Sequence, residues 1–354
     1  MESILVLTHC DETGAALSKG SLEAITAGAE LAARLGSTLT IGAVCGDSEK
    51  LSSSFPTAGT RWLSVSGEAF TQPRYASDAS ACEALCRAAQ PTIVLAPQSS
   101  RFARVMAAVA HRLGGRIDTH IAEISGTDGV EAGRWFYRQR IEAVLTRESR
   151  PWFLLLDTGT RAPYAGEVAP AQIEPITVEL PAPRTTVIGT RSPDQRAAAG
   201  EEGSSRAVGT IRPDAKLLFV AGAGWTKKQP DGQIHATEAG ELILKFLQGS
   251  GASLGSSKSL VDQGGEGTPI LPFLTHLNQV GQTGSTPRHS KGLATCCHGE
   301  EPHVVGWRFI GERRAISLDP NCGWTRGKAD VVYIADAFQV MSRVNALLEA
   351  NSAH

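Results

Sequence analysis

Two glycine-bearing segments carry the residue types that could hold a nucleotide-type ligand: Val220-Ala221-Gly222-Ala223-Gly224 and Gln279-Val280-Gly281-Gln282-Thr283-Gly284. Each stands beside a short apolar run that reads as a buried strand. Glycine turns at the carboxyl ends of strands bring backbone N–H groups against a ligand in an α/β sheet. Glycine is suited to that place because it reaches positive φ and admits close approach, and Thr283 adds a hydroxyl donor. A G-x-G by itself is a weak signal. The second segment is not a general nucleotide fingerprint.

Other reactive side chains point to less. Cys296, Cys297, His298 and His303, with Glu300 and Glu301 among them, invite a metal site, since thiolates and imidazoles cluster there. Vicinal cysteines rarely share one ion and no C-x-x-C is present, so a solvated loop over the ligand site is expected and no metal. Cys82 and Cys86 share a helical face and read as core. His9 closes the first strand and reads as buried or as part of an interface. Arg138, Arg140 and Arg147 form a basic stripe for an acidic partner or a solvated strand face. Trp225, Trp307 and Trp324 lie near the ligand-side loops. With no serine elbow, Walker lysine or H-E-x-x-H, the chain offers no catalytic residue and is not expected to be an enzyme with a substrate of its own.

The elements that must position these residues alternate. Ile4–Thr8, Thr38–Val44, Trp62–Val65 and Thr92–Ala96 read as strands; 21–35, 78–89 and 102–113 read as helices, with Gly36 stopping the first. Arg134–Arg140, Glu142–Thr146 and Trp152–Leu156 look like extra strands that extend or flank the sheet. A second alternating unit starts at Lys216–Val220. It continues through a helix near Glu238–Leu247, Gly255–Asp262, the QVGQTG turn and 314–318, and ends in Val331–Ala335 and a helix over 338–348. The expected class is α/β, with two domains of mostly parallel sheets flanked by helices. The domains are 1–182 and 214–354, the second doubly wound, with a polar Pro/Ser/Gly/Glu-rich linker over 183–213.

Bulk properties fit. The chain has 354 residues, 42% hydrophobic and 20% charged, with a formal net charge of -2. That balance argues against nucleic acid as the main partner. No apolar stretch approaches the roughly 18–20 residues of a membrane span. Met1-Glu2-Ser3 runs straight into a strand, which leaves no room for a targeting peptide, so a cytoplasmic location is expected, or less so a processed organellar one. Seven scattered cysteines make a disulfide framework improbable.

The second unit resembles the α subunit of the electron-transfer flavoproteins, the FixB-type family. That family shows in order GRG, GASR, VGQTG, SGAIQH, NKDP and ADYGxVAD. Here stand Gly222-Ala223-Gly224, Gly255-Ser256-Ser257-Lys258, Val280–Gly284, 298–303 (HGEEPH), Ser317-Leu318-Asp319-Pro320, and Ala329-Asp330 through Ala335-Asp336. The first half matches more loosely, through ILVLTH, VLAPQSSRFARVMAAVAHRLG and the run from Trp135 to Ala162. The resemblance implies an electron carrier with FAD in its second domain. It further implies a β subunit as heterodimer partner, bound by a platform in the first domain, a flavin dehydrogenase as donor, and an acceptor such as a membrane quinone reductase.

By position, the resemblance places Ser257 and Lys258 at the FAD pyrophosphate or flavin region, with Gly222, Ala223 and Gly224 beside them. Val280, Gly281, Gln282 and Thr283 fall along the ribityl and ring portion. His303 falls near the flavin C2 carbonyl and Asp336 near the adenosine end, and His298, Gly299, Ser317 and Ala337 are further expected cofactor-binding positions. A donor or cation fixed at N1 and C2=O would stabilise negative charge on the ring.

Departures from the pattern bear on the same residues. Ala223 replaces the arginine that lies over the flavin, and restoring it is expected to raise the one-electron potential. Glu300 and Glu301 replace small neutral residues, Pro302 removes a backbone donor, and Ser317 and Leu318 replace Asn and Lys. Two readings stay open: a carrier whose flavin potential is shifted, or a flavin-free structural subunit of a similar heterodimer.

Overall fold

The structure is a computed structural model of the chain. It describes residues 2–51, 55–58, 61–126, 129–137, 141–169, 172–180, 182, 184–188, 211–262, 269–281, 286–295, 309–320 and 329–352. The chain divides into two compact units, residues 1–136 with 141–190, and residues 137–140 with 191–354.

The first unit is built on strands β1 (Ser3–His9), β2 (Thr38–Cys45), β3 (Phe55–Pro56), β4 (Arg61–Ser66), β5 (Ile93–Pro97), β6 (Arg116–Ser125), β7 (Glu131–Phe136), β8 (Ile141–Leu145), β9 (Trp152–Leu156), β10 (Val168–Ala169) and β11 (Ile173–Pro175). Its nine-stranded sheet runs β11-β4-β2-β1-β5-β9-β6-β7-β8. All neighbours are parallel except β6–β7 and β7–β8. The chain winds outward from β1 through β2 to β4 and returns to β5 on the other side, so the winding reverses between β1 and β5.

Local chemistry accounts for the pieces. Ser18 caps the helix Lys19–Leu35 by accepting from the Ser21 N–H, and Gly36 ends it at φ 58°. Leu5 and Leu7 face one layer of helices while Ile4 and Val6 face the other, so a continuous apolar run is what a strand covered on both faces requires. The same logic corrects one expectation: Trp152–Leu156, buried throughout, is no flanking strand but lies between β5 and β6 in the sheet's interior. The antiparallel β7 and β8 do extend the edge. The helix expected over 102–113 is two pieces, Ser100–Ala103 and Met106–Arg112. Between them Arg104 and Val105 keep right-handed dihedrals, and Val105 caps the second piece, its carbonyl accepting from the Val109 N–H at 3.1 Å.

The second unit carries β12 (Leu217–Ala221), β13 (Ser253–Ser256), β14 (His289–Thr295), β15 (Ile310–Ser317) and β16 (Val331–Ile334) in one all-parallel sheet ordered β13-β12-β14-β15-β16. This is a doubly wound order whose direction reverses between β12 and β14. The helices Ala236–Ser250 and Ala337–Ser352 belong to one core layer, with Phe219, Trp225, Ile243, Phe246 and Met341 buried among them. β14 was not anticipated. Its sequence, HSKGLAT, alternates polar and small residues and lacks the apolar run of its neighbours. Residues 183 and 189–210 of the expected linker, and residues 263–268, lie outside the described residues.

Candidate functional site

The carboxyl ends of the second sheet lie side by side. Ala221 pairs with Ser256 on one flank and with Thr295 on the other, and Ser317 pairs with Ile334 farther along. Beyond Ser256 an isolated bridge adds Gln279. The described residues expected to form a site follow directly from this row: Gly222–Gly224 after β12, Ser257 and Lys258 after β13, Val280 and Gly281 after the bridge, Ser317 closing β15, and Asp336 and Ala337 after β16. Gln282, Thr283, His298, Gly299 and His303, with Glu300, Glu301, Trp307, Trp324, Cys296 and Cys297, fall outside the described residues. Arg138 and Arg140 do too.

The turn after β12 is held from several sides. Gly222 N–H donates to the Thr295 carbonyl at 2.9 Å, and Ser257 N–H donates to the Ala221 carbonyl at 2.8 Å. Residues Ala223–Thr226 form a single 3-10 turn, and Gln229 Nε2 donates to the Gly224 carbonyl at 3.0 Å. Ala223 and Trp225 are both fully buried. Trp225 Nε1 donates to Thr295 Oγ1 at 2.9 Å, and its ring packs on Phe338 with centroids 4.6 Å apart. The position where the resemblance puts an arginine over the flavin thus sends its side chain into the hydrophobic core. An arginine there would have to displace that core, which removes the simple expectation attached to Ala223→Arg.

The segment before Gly281 is not the strand its apolar reading suggested. Thr275 and Asn278 form a reciprocal cap on the short turn His276–Asn278, and Val280 N–H donates to the Ser256 carbonyl at 3.1 Å. Val280 presses on β13 so closely that a Cβ on Gly255 would come within 2.6 Å of Val280 Cγ2. Gly281 has φ 84°, where only glycine is comfortable, and its N–H donates to Thr286 Oγ1 at 2.8 Å.

Several of these side chains already have structural work. Ser257 Oγ accepts from the Leu260 N–H at 3.3 Å. Ser317 Oγ and the Asp319 backbone close a turn on each other. Asp336 Oδ1 caps the last helix by accepting from the Gln339 N–H at 3.1 Å. Ser256 Oγ differs: it is buried and finds no hydrogen-bond partner among the described residues. A buried hydroxyl left unpaired at the end of a strand is where a ligand's acceptor would fit. With the exposed Lys258 two residues on, the described residues fit an anionic, phosphate-bearing group at the β12–β13 end of the sheet.

In the first unit the corresponding reversal holds His9. The imidazole is packed edge-on against Phe102, its Nδ1 lies 2.7 Å from the Cys10 carbonyl and its Nε2 3.0 Å from Ser99 Oγ. The carbonyl can only accept, so Nδ1 carries the proton and Nε2 accepts from the serine. Burial holds the imidazole below its ordinary pKa. Arg101, itself buried, donates through Nε and Nη2 to Asp78 Oδ1 at 3.0 and 2.6 Å and to the Phe70 carbonyl at 2.7 Å. Burial pushes the Asp78 carboxyl up and the guanidinium pulls it back. Arg147, expected in a basic stripe, is instead paired fork-to-fork with Asp118 at 2.8 Å. Among the described residues no group of three or more His, Cys, Asp or Glu could hold a metal ion. No described helix is long and apolar enough to cross a membrane.

Two α/β units, each winding outward from a central strand and reversing beside it, define a protein of the doubly wound α/β class. Residues 6–183, just over half of the chain, match the electron transfer flavoprotein domain, and the chain belongs to that family. A search of curated proteins yields no match. The family's members carry electrons, generally on a bound flavin, rather than transforming a substrate of their own, and an electron transfer flavoprotein domain implies a partner subunit of the same family. The matched residues are those of the first unit. The case for a cofactor therefore rests on the second unit's own residues.

Proposed function

We propose that the chain is an α-type subunit of an electron-transfer flavoprotein, with FAD at the carboxyl edge of the second sheet. The observation that carries this reading is the convergence of the segments after β12, β13, β15 and β16 on one edge of a parallel sheet, at and beside its winding reversal. FAD would supply reversible electron acceptance. Ser256, Ser257 and Lys258 would hold its phosphates, and the turn at Gly281 would let backbone approach it. Gln282, Thr283, His298 and His303 would be the further contacts. A β subunit, a flavin dehydrogenase donor and an acceptor such as a quinone reductase complete the proposed circuit.

A second reading, a flavin-free subunit of a similar heterodimer, is favoured by Ala223 and Trp225. Both are fully buried, so neither offers a side chain to a flavin, and no arginine stands at position 223. Titration of the heterodimer with FAD, after any bound flavin has been stripped from it and followed by flavin fluorescence, separates the two. Saturable quenching that weakens in Lys258→Ala supports the carrier, whereas unquenched fluorescence throughout supports the structural subunit.

A further inference from the structure

The first unit contains a pair of cysteines that electron carriage does not use. Cys45 ends β2, and Cys10 directly follows β1. Because β1 and β2 are parallel with His9 opposite Val44, the two cysteines stand opposite each other at the sheet's carboxyl edge. Adjacent strands lie about 4.8 Å apart, inside the roughly 4.4–6.8 Å between α-carbons that a disulfide spans. Both thiols are free, and each is the largest influence on the other's ionisation. Cys45 is buried, whereas Cys10 is only partly so.

We propose that Cys10 and Cys45 form a peroxide-oxidisable dithiol site, with Cys10 the attacking sulfur and Cys45 the resolving one. The surroundings divide the roles. The Cys45 S–H donated to Cys10 favours thiolate at Cys10, the charge of Arg101 adds to it, and desolvation and Asp11 oppose it; the net direction for Cys10 is down. The hydrogen bond with Cys10 and burial keep Cys45 protonated. A low-pKa, accessible sulfur beside a second thiol is the arrangement that peroxide-sensitive cysteines share.

The chemistry balances. The Cys10 thiolate attacks one peroxide oxygen, the O–O bond breaks, and hydroxide leaves with sulfenic acid on Cys10. The Cys45 sulfur then displaces the sulfenic hydroxyl, the S–S bond forms as the S–O bond breaks, and the Cys45 proton leaves with that oxygen as water. Two thiols and one hydrogen peroxide give a disulfide and two waters, the sulfurs supplying both electrons.

The chain contains its own control. Cys82 and Cys86, one helical turn apart, are deeply buried; burial raises both thiols, Cys86 to about 12. Core packing accounts for them and they are expected not to react.

The test is peptide mapping of the full-length, reduced protein after brief exposure to hydrogen peroxide and alkylation of the remaining thiols. The expected product joins peptide 1–19 to peptide 35–50 through Cys10 and Cys45, and dithiothreitol reverses it. In the unoxidised protein, Cys10 should alkylate at least about tenfold faster than Cys82 or Cys86. In Cys45→Ser, Cys10 should stop at sulfenic acid and be captured by dimedone. Loss of thiol at Cys82, Cys86, Cys296 or Cys297 with the 1–19 peptide still fully alkylated would overturn the proposal. So would a Cys10 that resists both peroxide and alkylation. The wild-type map needs no substitution, so the result does not depend on a variant folding.

Discussion

Trp225 donates its indole N–H to Thr295 Oγ1 at 2.9 Å, tying the turn that follows β12 to the last residue of β14 across the reversal of the second sheet. Thr295 Oγ1 in turn donates to the Val220 carbonyl at 3.2 Å, so one hydroxyl joins turn, strand and neighbouring strand. The Trp225 side chain of that turn is therefore tied into the core, while the turn's backbone stays at the carboxyl edge of the sheet.

Trp225→Phe keeps much of the ring and removes that donor. Because Thr295 keeps its carbonyl partner, the hydrogen bond itself accounts for about 1–2 kcal/mol. Trp225→Ala should cost about 3–5 kcal/mol through lost packing. Urea unfolding of the two variants checks the difference; equal losses would show that the hydrogen bond, and not the packing, dominates.

Gly255 and Val280 are coupled through the 2.6 Å approach a new Cβ would make. Gly255→Ala should destabilise the second unit by about 1–3 kcal/mol through overpacking. Combining it with Val280→Ala should cost less than the sum of the single substitutions, by about 0.5 kcal/mol or more. Additive losses in a double-mutant cycle would place the strain elsewhere.

Arg101 and Asp78 form a buried pair at 2.6 Å, with both side chains almost wholly enclosed. Removing one partner leaves an unpaired buried charge, so Arg101→Met should cost about 3–5 kcal/mol. Arg101→Met with Asp78→Asn should recover part of that loss. A double variant no more stable than Arg101→Met contradicts the pairing.

His9 and His289 give the fold a pH dependence of definite sign. His289 is buried at the start of β14, with Nδ1 3.0 Å from the Pro287 carbonyl and Nε2 2.8 Å from the Arg212 carbonyl. The carbonyls favour the protonated ring, but burial outweighs them, and both histidines titrate below their ordinary value. The unfolded chain takes up its protons near pH 6.5 while the folded chain does not. Their contribution to stability is therefore complete above about pH 6.5 and falls as pH drops toward the folded-state values. Thermal melts between pH 7.5 and pH 5 should show this decline, shallower in His9→Asn and in His289→Gln. A midpoint that rises as pH falls would reverse the assignment.

Much of this architecture was legible because it rests on apolar runs and glycine stops. Ile4–Thr8, Thr92–Ala96 and the Gly36 cap are such cases, and the paired sheet ends explain why segments far apart in sequence could be read as one site. β14 was missed because a strand interior can be built from Ser, Gly and Ala when its neighbours supply the bulk. The roles of Ala223 and Trp225 were hidden for a related reason: composition cannot tell whether a side chain after a glycine turn points out to a ligand or back into the core. His289 gave no signal at all, since its partners are backbone carbonyls contributed by other segments. The Cys10–Cys45 pair was visible only as two scattered cysteines until the register of β1 and β2 set them side by side.

The most direct test is the visible absorption spectrum of the protein co-expressed with its partner subunit, recorded after desalting. Flavin bands with about one FAD per heterodimer in the denatured extract, the stoichiometry of one site at the reversal of the second sheet, are the predicted result. A colourless heterodimer that also fails to take up added FAD would contradict the carrier and leave the structural subunit.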